Sequence, residues 1–271
     1  MTVISTNISA LQAQNGSRMA QASMSTAMAR LSSGKRINSA SDDAAGLAVA
    51  TRMDANVRGF QQAVRNSNDG ISLAQTAEGA LSETSNILVR MRELAVQSSN
   101  GTLASSDRTA LQAEVTQLVS QIGDIATRTN FNGTSLLNNA STSISIQTGV
   151  ASGQTVSINI GDMQAAALGV AGLDLSTAAG ASTALGTLDT AINTVAGQRA
   201  QLGAVQNRLT STVNNLTSSV ENLSAAQSRI EDTDYSVETT KLASAQILSQ
   251  ASTAMLAQAN QSQQGVLSLL R

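Results

Sequence analysis

Residues Leu185 to Ile230, LGTLDTAINTVAGQRAQLGAVQNRLTSTVNNLTSSVENLSAAQSRI, carry the pattern that decides the fold. Leu185, Leu188, Ile192, Val195, Arg199, Leu202, Gln206, Leu209, Val213, Leu216, Val220, Leu223, Gln227 and Ile230 follow one another at alternating steps of three and four. Only Arg199, Gln206 and Gln227 interrupt the apolar character of that series. A stripe repeating every 3.5 residues stays on one side of a helix and faces a partner helix along its whole length, so the segment predicts a coiled-coil seam. At about 1.5 Å per residue such a helix is roughly 70 Å long, more than an ordinary globular domain covers, and it implies a rod.

Two further segments supply partners. Leu73, Ala77, Ala80, Thr84, Ile87, Met91, Leu94 and Ser98 form one heptad stripe, and Leu111, Val115, Leu118, Ile122 and Ile125 form another. The first of these helices is expected to start near Ser41 as N-cap, with Asp42 and Asp43 in the first turn. It is expected to close at Asn100 and Gly101 through a left-handed residue, with a break before Ile71 allowed by Gly70. The next helix starts after Ser105, Ser106 and Asp107.

Between these helices the period changes to two. TSISIQT (Thr142 to Thr148) and QTVSINI (Gln154 to Ile160) alternate apolar and polar residues around Gly149 to Gly153, which predicts a β-hairpin. Met163 to Ala184 is rich in Ala, Gly, Ser and Thr and reads as a loose connection.

The two ends are weakly charged amphipathic helices. The first carries Ile4, Ile8, Leu11, Met24, Met28 and Leu31, and the last carries Leu248, Met255, Ala259, Val266 and Leu270. SSGKRINSAS (Ser32 to Ser41) separates the first from the rod. The predicted fold is mainly α: a long antiparallel coiled-coil rod with a small β-hairpin near residues 142–160 and two terminal amphipathic helices. The domains are residues 1–40 and 231–271 as assembly helices and residues 41–230 as the rod. No partner for the terminal stripes is evident within the chain, so they are expected to become ordered when neighbouring subunits cover them.

Composition excludes several functions. The chain has 271 residues with no Pro, Cys or His, and Phe60, Phe131 and Tyr235 are its only aromatics. Any core is aliphatic, thiolate and imidazole chemistry are ruled out, and helices run without proline breaks. A net charge of −2 argues against a nucleic-acid partner. Leu242 to Leu270 is free of charge, but seven Gln and Asn residues interrupt it, so no membrane partner is expected. MTVISTNISA (Met1 to Ala10) lacks the basic leader and apolar run of a Sec-type signal, and export would use another route. Asp42 with Asp43, and Glu231, Asp232 and Asp234, lie near helix ends, where they read as caps rather than as catalytic or metal sites. No catalytic residue, cofactor or metal is predicted, and the chain is expected not to be an enzyme.

RLSSGKRINSASDDAAGLAV (Arg30 to Val49) closely resembles the N-terminal signature of bacterial flagellin. LVRMRELAVQ (Leu88 to Gln97), the triplet Phe131, Asn132 and Gly133, and the segment from Ser228 to Arg271 resemble flagellin as well, in the same order. The resemblance implies a motility filament subunit, exported unfolded through the flagellar type III channel and polymerised outside the cell. Its partners would be copies of itself, an export chaperone, and the cap and hook-junction proteins. It also implies contact between Arg90, Leu94, Gln97 and Glu114 and the innate-immune flagellin receptor of animal hosts. The short connection after the hairpin implies that outer variable domains are missing. A hook-filament junction protein shares the terminal patterns, and a secreted membrane-active protein is a more distant alternative that would call for cationic faces.

Overall fold

A computed structural model of the chain describes residues 6–138 and 141–268. Five helices and two small hairpins follow one another: α1 Ile8–Ser33, α2 Ala44–Ser98, α3 Ser105–Arg128, β1 Asn130–Phe131, β2 Thr134–Ser135, β3 Ser141–Gln147, β4 Thr155–Gly161, α4 Ala178–Glu231 and α5 Tyr235–Ser268. They divide into a central unit, residues 56–220, and a terminal unit formed by residues 1–55 and 221–271.

In the central unit the heptad reading holds. Leu188, Val195, Leu202, Leu209 and Leu216, one residue in every seven of α4, are buried, and Ile192 and Val205 on the flanks are half-buried. Across the seam α2 runs antiparallel to α4: the Arg92 guanidinium meets Asp189 at 2.6 Å, Gln206 donates to Glu78 at 2.8 Å, and Leu209 reaches the backbone at Gly70. Because α2 is covered on two sides, its buried set widens to Leu81 and Leu88 beyond the single stripe. On its second side lies α3, with Val115, Ile122 and Ala126 inward and Arg90 joined to Glu114 at 2.8 Å.

The hairpin forms with a shift of one residue from the expected spans. β3 and β4 pair antiparallel from Ser141 opposite Gly161 to Gln147 opposite Thr155, and Val156, Ile158 and Ile160 point into the core. Gly153 turns the chain with φ +83°. A smaller hairpin joins β1 to β2 through Asn132 and Gly133, both at positive φ, the geometry that makes Asn-Gly the favoured two-residue turn.

Four local expectations are corrected. The N-cap of α2 is Asp43, whose carboxylate accepts the Gly46 N–H at 2.8 Å, and Ser41 instead pairs with Ser39. α2 is continuous through Gly70; there a side chain would press on Ile146 and Leu209, so the glycine permits close approach rather than marking a break. Neither Asn100 nor Gly101 is left-handed. Arg108 closes the helix end by donating to the carbonyls of Ser98, Asn100 and Leu103 at 2.7–2.9 Å, which satisfies oxygens that have no intrahelical partner.

The fourth correction concerns the connection after the hairpin. Met163, Leu168, Val170 and Leu175 are buried in the core, and Gln112 of α3 holds the backbone on both sides, donating to the Leu173 carbonyl and accepting from the Leu175 N–H. Ser98 donates to the Leu175 carbonyl at 2.6 Å. The segment is a strap across α2 and α3, and from Ala178 it is already helix.

Leu209→Ala removes a fully buried side chain between α2 and the hairpin, and is expected to lower the stability of the central unit by about 2–5 kcal/mol. Urea denaturation followed by far-ultraviolet circular dichroism measures it; an unchanged midpoint would place Leu209 outside the seam.

Candidate functional site

The terminal unit is built on the opposite use of side-chain size. α1 starts at Asn7, whose carboxamide caps the Ala10 N–H at 3.0 Å, and ends at Gly34, left-handed at φ +72°. α5 starts after Asp234, which accepts the Ser236 N–H at 2.8 Å. The two helices pack antiparallel: Asn7 donates to the Ala259 carbonyl at 3.2 Å, Gly16 faces Ser252, and Arg30 reaches Glu238 at 3.6 Å. The terminal stripes were expected to lack a partner within the chain, and this pairing corrects that expectation. Ala20 and Ala27 of α1 and Ala245 and Ala259 of α5 are the buried apolar residues of the pair. Small residues allow close backbone approach but leave no room for large side chains between the helices.

The large side chains therefore point outward. Ile8, Leu11, Met19, Met28, Tyr235, Val237, Ile247, Leu248 and Met255 are 49–67 % exposed, nine of the twelve exposed large hydrophobic residues among the described residues. Conversely, eleven of the twelve largest fully buried side chains lie in the central unit, Ile37 being the exception. Of the residues expected to drive assembly, Ile8, Leu11, Met28, Leu248 and Met255 are exposed, and Met24 and Leu31 are half-buried. Ile4, Leu270 and the side chain of Val266 lie outside the described residues. The periodicity missed Met19 and Ile247, which fall off the single stripe; the scarcity of charge over the whole circumference of both helices was the signal for them.

A cleft of about 590 Å³ opens between α1 and α5, lined by Ala20, Ser23, Thr26, Ala245 and Leu248 and closed at one end by Arg30 and Glu238. Glu238 is buried in the first turn of α5 and is held by Lys241 at 3.0 Å as well as by Arg30. Next to it the segments flanking α1 and α5 join. Arg36 donates its N–H to the Glu231 carbonyl and its guanidinium to the Ile230 carbonyl, both at 2.6 Å, and Thr233 donates back to the Gly34 carbonyl at 3.0 Å. The acids near the helix ends thus cap and clamp. Lys35 and Glu231 form an ion pair at 2.5 Å, and its hydrogen bond holds the Glu231 carboxyl below its ordinary value and the Lys35 ammonium above its own. Asp42 is also lowered, by the Ser39 hydroxyl first and then by the N–H groups of Asn38 and Ser39.

A second surface lies on α2 and α3. Arg90 binds Glu114 through Nε and a terminal nitrogen at 3.0 and 2.8 Å and Glu93 at 3.2 Å, with Gln97, Val89 and Val96 exposed nearby. Leu94, expected among the contact residues, is 1 % exposed in the core, so its side chain is unavailable to a partner of the folded chain.

The terminal helices thus pair through alanine and present their large apolar residues outward. Residues 4–142 match the bacterial flagellin N-terminal helical region, and residues 185–270 match the bacterial flagellin C-terminal helical region. The chain belongs to the bacterial flagellin family. It is 46% identical over 271 residues to a flagellin of Halalkalibacterium halodurans, across 99% of this chain and 100% of that one. It is 45% identical over 285 residues to the flagellar filament 33 kDa core protein of Treponema phagedenis, across 99% and 100%. The crystal structure of Bacillus cereus flagellin aligns with a TM-score of 0.50 at 38% identity, covering 60% of this chain and 94% of that one.

Because Glu231 and Asp42 are lowered, their stabilisation is complete above the ordinary carboxylate range and is lost as pH falls through the folded-state values. Because Lys35 is raised, its stabilisation is complete below the ordinary lysine value and is lost as pH rises through the raised one. Glu231→Gln is therefore expected to be less stable than the parent at neutral pH, with the gap closing below about pH 4. Urea midpoints measured against pH check this, and parallel profiles would show that the ion pair does not matter.

Proposed function

We propose that this chain is the structural subunit that self-assembles into the bacterial flagellar filament, acting in motility outside the cell. One observation carries the mechanism: large apolar side chains are buried in the central unit and exposed on the terminal one. Covering apolar surface contributes roughly 25 cal/mol per Å², so successive copies laid against the terminal helices drive growth. Few charges lie on that face, which keeps desolvation costs low. The junction-protein and membrane-active alternatives are not favoured: the relatives carry flagellin and filament core names, and no helix among the described residues is long and apolar enough to cross a membrane.

The role is structural rather than catalytic, the family being one of filament proteins. An export chaperone, the cap and hook-junction proteins are its further partners, engaging the same weakly charged ends. Leu11→Asp combined with Ile247→Asp is expected to leave monomer stability nearly unchanged, since both side chains are exposed, and to abolish seeded polymerisation. Electron microscopy and sedimentation read the outcome; filaments of normal yield would refute the assembly face.

A second reading concerns the Arg90 surface. We infer that Arg90, Gln97 and Glu114 contact the innate-immune flagellin receptor of animal hosts; a paired Arg and Glu beside exposed Val89 and Val96 make a mixed polar and apolar patch suited to a protein partner. Arg90→Ala with Glu114→Ala should cost the rod little, because exposed ion pairs contribute about 0–1 kcal/mol. Receptor activation by the monomer should fall. A folded double mutant with full activity would remove this site.

A further inference from the structure

We propose that Met19, Met28 and Met255 are oxidation sites through which a peroxide-class oxidant reversibly blocks the subunit's entry into the filament. The proposal rests on the reading of the terminal helices as the assembly face. Three of the nine large apolar residues exposed on the terminal unit are methionines, two on α1 and one on α5. Their thioethers are the most accessible sulfurs among the described residues: Met91 and Met163 are buried in the central unit, and Met24 and Met53 are half-buried. The chain has no cysteine to consume the oxidant first.

The reaction needs nothing from the protein but access. The thioether sulfur donates a lone pair to one oxygen of hydrogen peroxide, the O–O bond breaks, and the second oxygen leaves as water once protons are transferred. The sulfur is oxidised by two electrons to the sulfoxide and the peroxide is reduced. A methionine sulfoxide reductase, drawing two electrons from a dithiol, returns the thioether and releases the oxygen as water.

The effect on assembly follows from polarity. An exposed methionine presents a flexible apolar surface that a neighbouring subunit can cover, whereas a sulfoxide brings a strong acceptor that must stay hydrated or find a donor. Burying Met19, Met28 and Met255 as sulfoxides requires each oxygen to give up its water, and an interface shaped for an apolar thioether has no donor set to receive it. In the free subunit the same change costs little, because the side chains remain in water. Oxidation therefore separates folding from assembly, and subunits already inside a filament are shielded.

The test treats folded monomer with hydrogen peroxide, maps sulfoxide by peptide mass spectrometry, and measures seeded polymerisation. Met19, Met28 and Met255 should be modified before Met91 and Met163. Circular dichroism should be unchanged, elongation should fall by about tenfold or more, and reductase treatment should restore it. The variant M19L, M28L and M255L, whatever its own elongation rate, should show the same rate after peroxide treatment as before it. Full elongation of parent subunits carrying all three sulfoxides would overturn the proposal, as would equal loss of elongation by the treated triple-Leu variant. Uniform oxidation of buried and exposed methionines would overturn its selectivity. Failure of the assembly reading is distinguishable, because the Leu11→Asp and Ile247→Asp double variant would then still polymerise without oxidant.

Discussion

The contact between α1 and α5 is the constraint on which the rest depends. Antiparallel helices that meet through Ala20, Ala27, Ala245, Ala259 and Gly16 approach closely but bury little apolar area per residue. Alanine contributes less on burial than leucine or methionine, so the pair gains modestly from its own interface. Its large apolar side chains, Ile8, Leu11, Met19, Met28, Ile247, Leu248 and Met255 among them, remain outside. A pair built through leucine would be more stable alone and would have less to offer a neighbour.

The central unit shows the alternative arrangement. There α4 contributes one leucine or valine per heptad to the seam, α2 is covered on two sides, and the strap from Met163 to Leu175 closes over α2 and α3. Two of its buried hydroxyls are satisfied within their own helix: Ser67 donates to the Ala63 carbonyl and Thr84 to the Ala80 carbonyl. Such a unit covers its own large apolar side chains without a neighbour.

What could be read from the sequence follows the same division. The seams of α2, α3 and α4 were legible because large aliphatic residues at steps of three and four admit one geometry, and the hairpin was legible because its period is two. The pairing of α1 with α5 was not, since alanine, serine and glycine occur on every face of both helices and mark none as the interface. The strap was hidden for a related reason: Leu168, Val170 and Leu175 sit among Ala and Gly with no period to betray burial. Asp43 and Ser41 are both good caps two residues apart, and only the position of the first helical turn separates them. In the candidate sites, Arg90, Leu94, Gln97 and Glu114 come from the resemblance to flagellin, whereas the burial of Leu94 follows from its place in the heptad stripe of α2.

The hydrogen bond from Asn7 to Ala259 joins residues 252 positions apart, so the face made by α1 and α5 is built from two widely separated parts of the chain. Contacts of that separation form late, because the entropy of closing so long a loop must first be offset by other structure. The bridge between Lys35 and Asp232 joins the two segments at one end of the pair, and Arg30 with Glu238 and Gly16 with Ser252 continue the contact along it. The face exists only where both segments are brought together. Under the proposed assembly role, a chain lacking either segment has no paired face for a neighbour to cover.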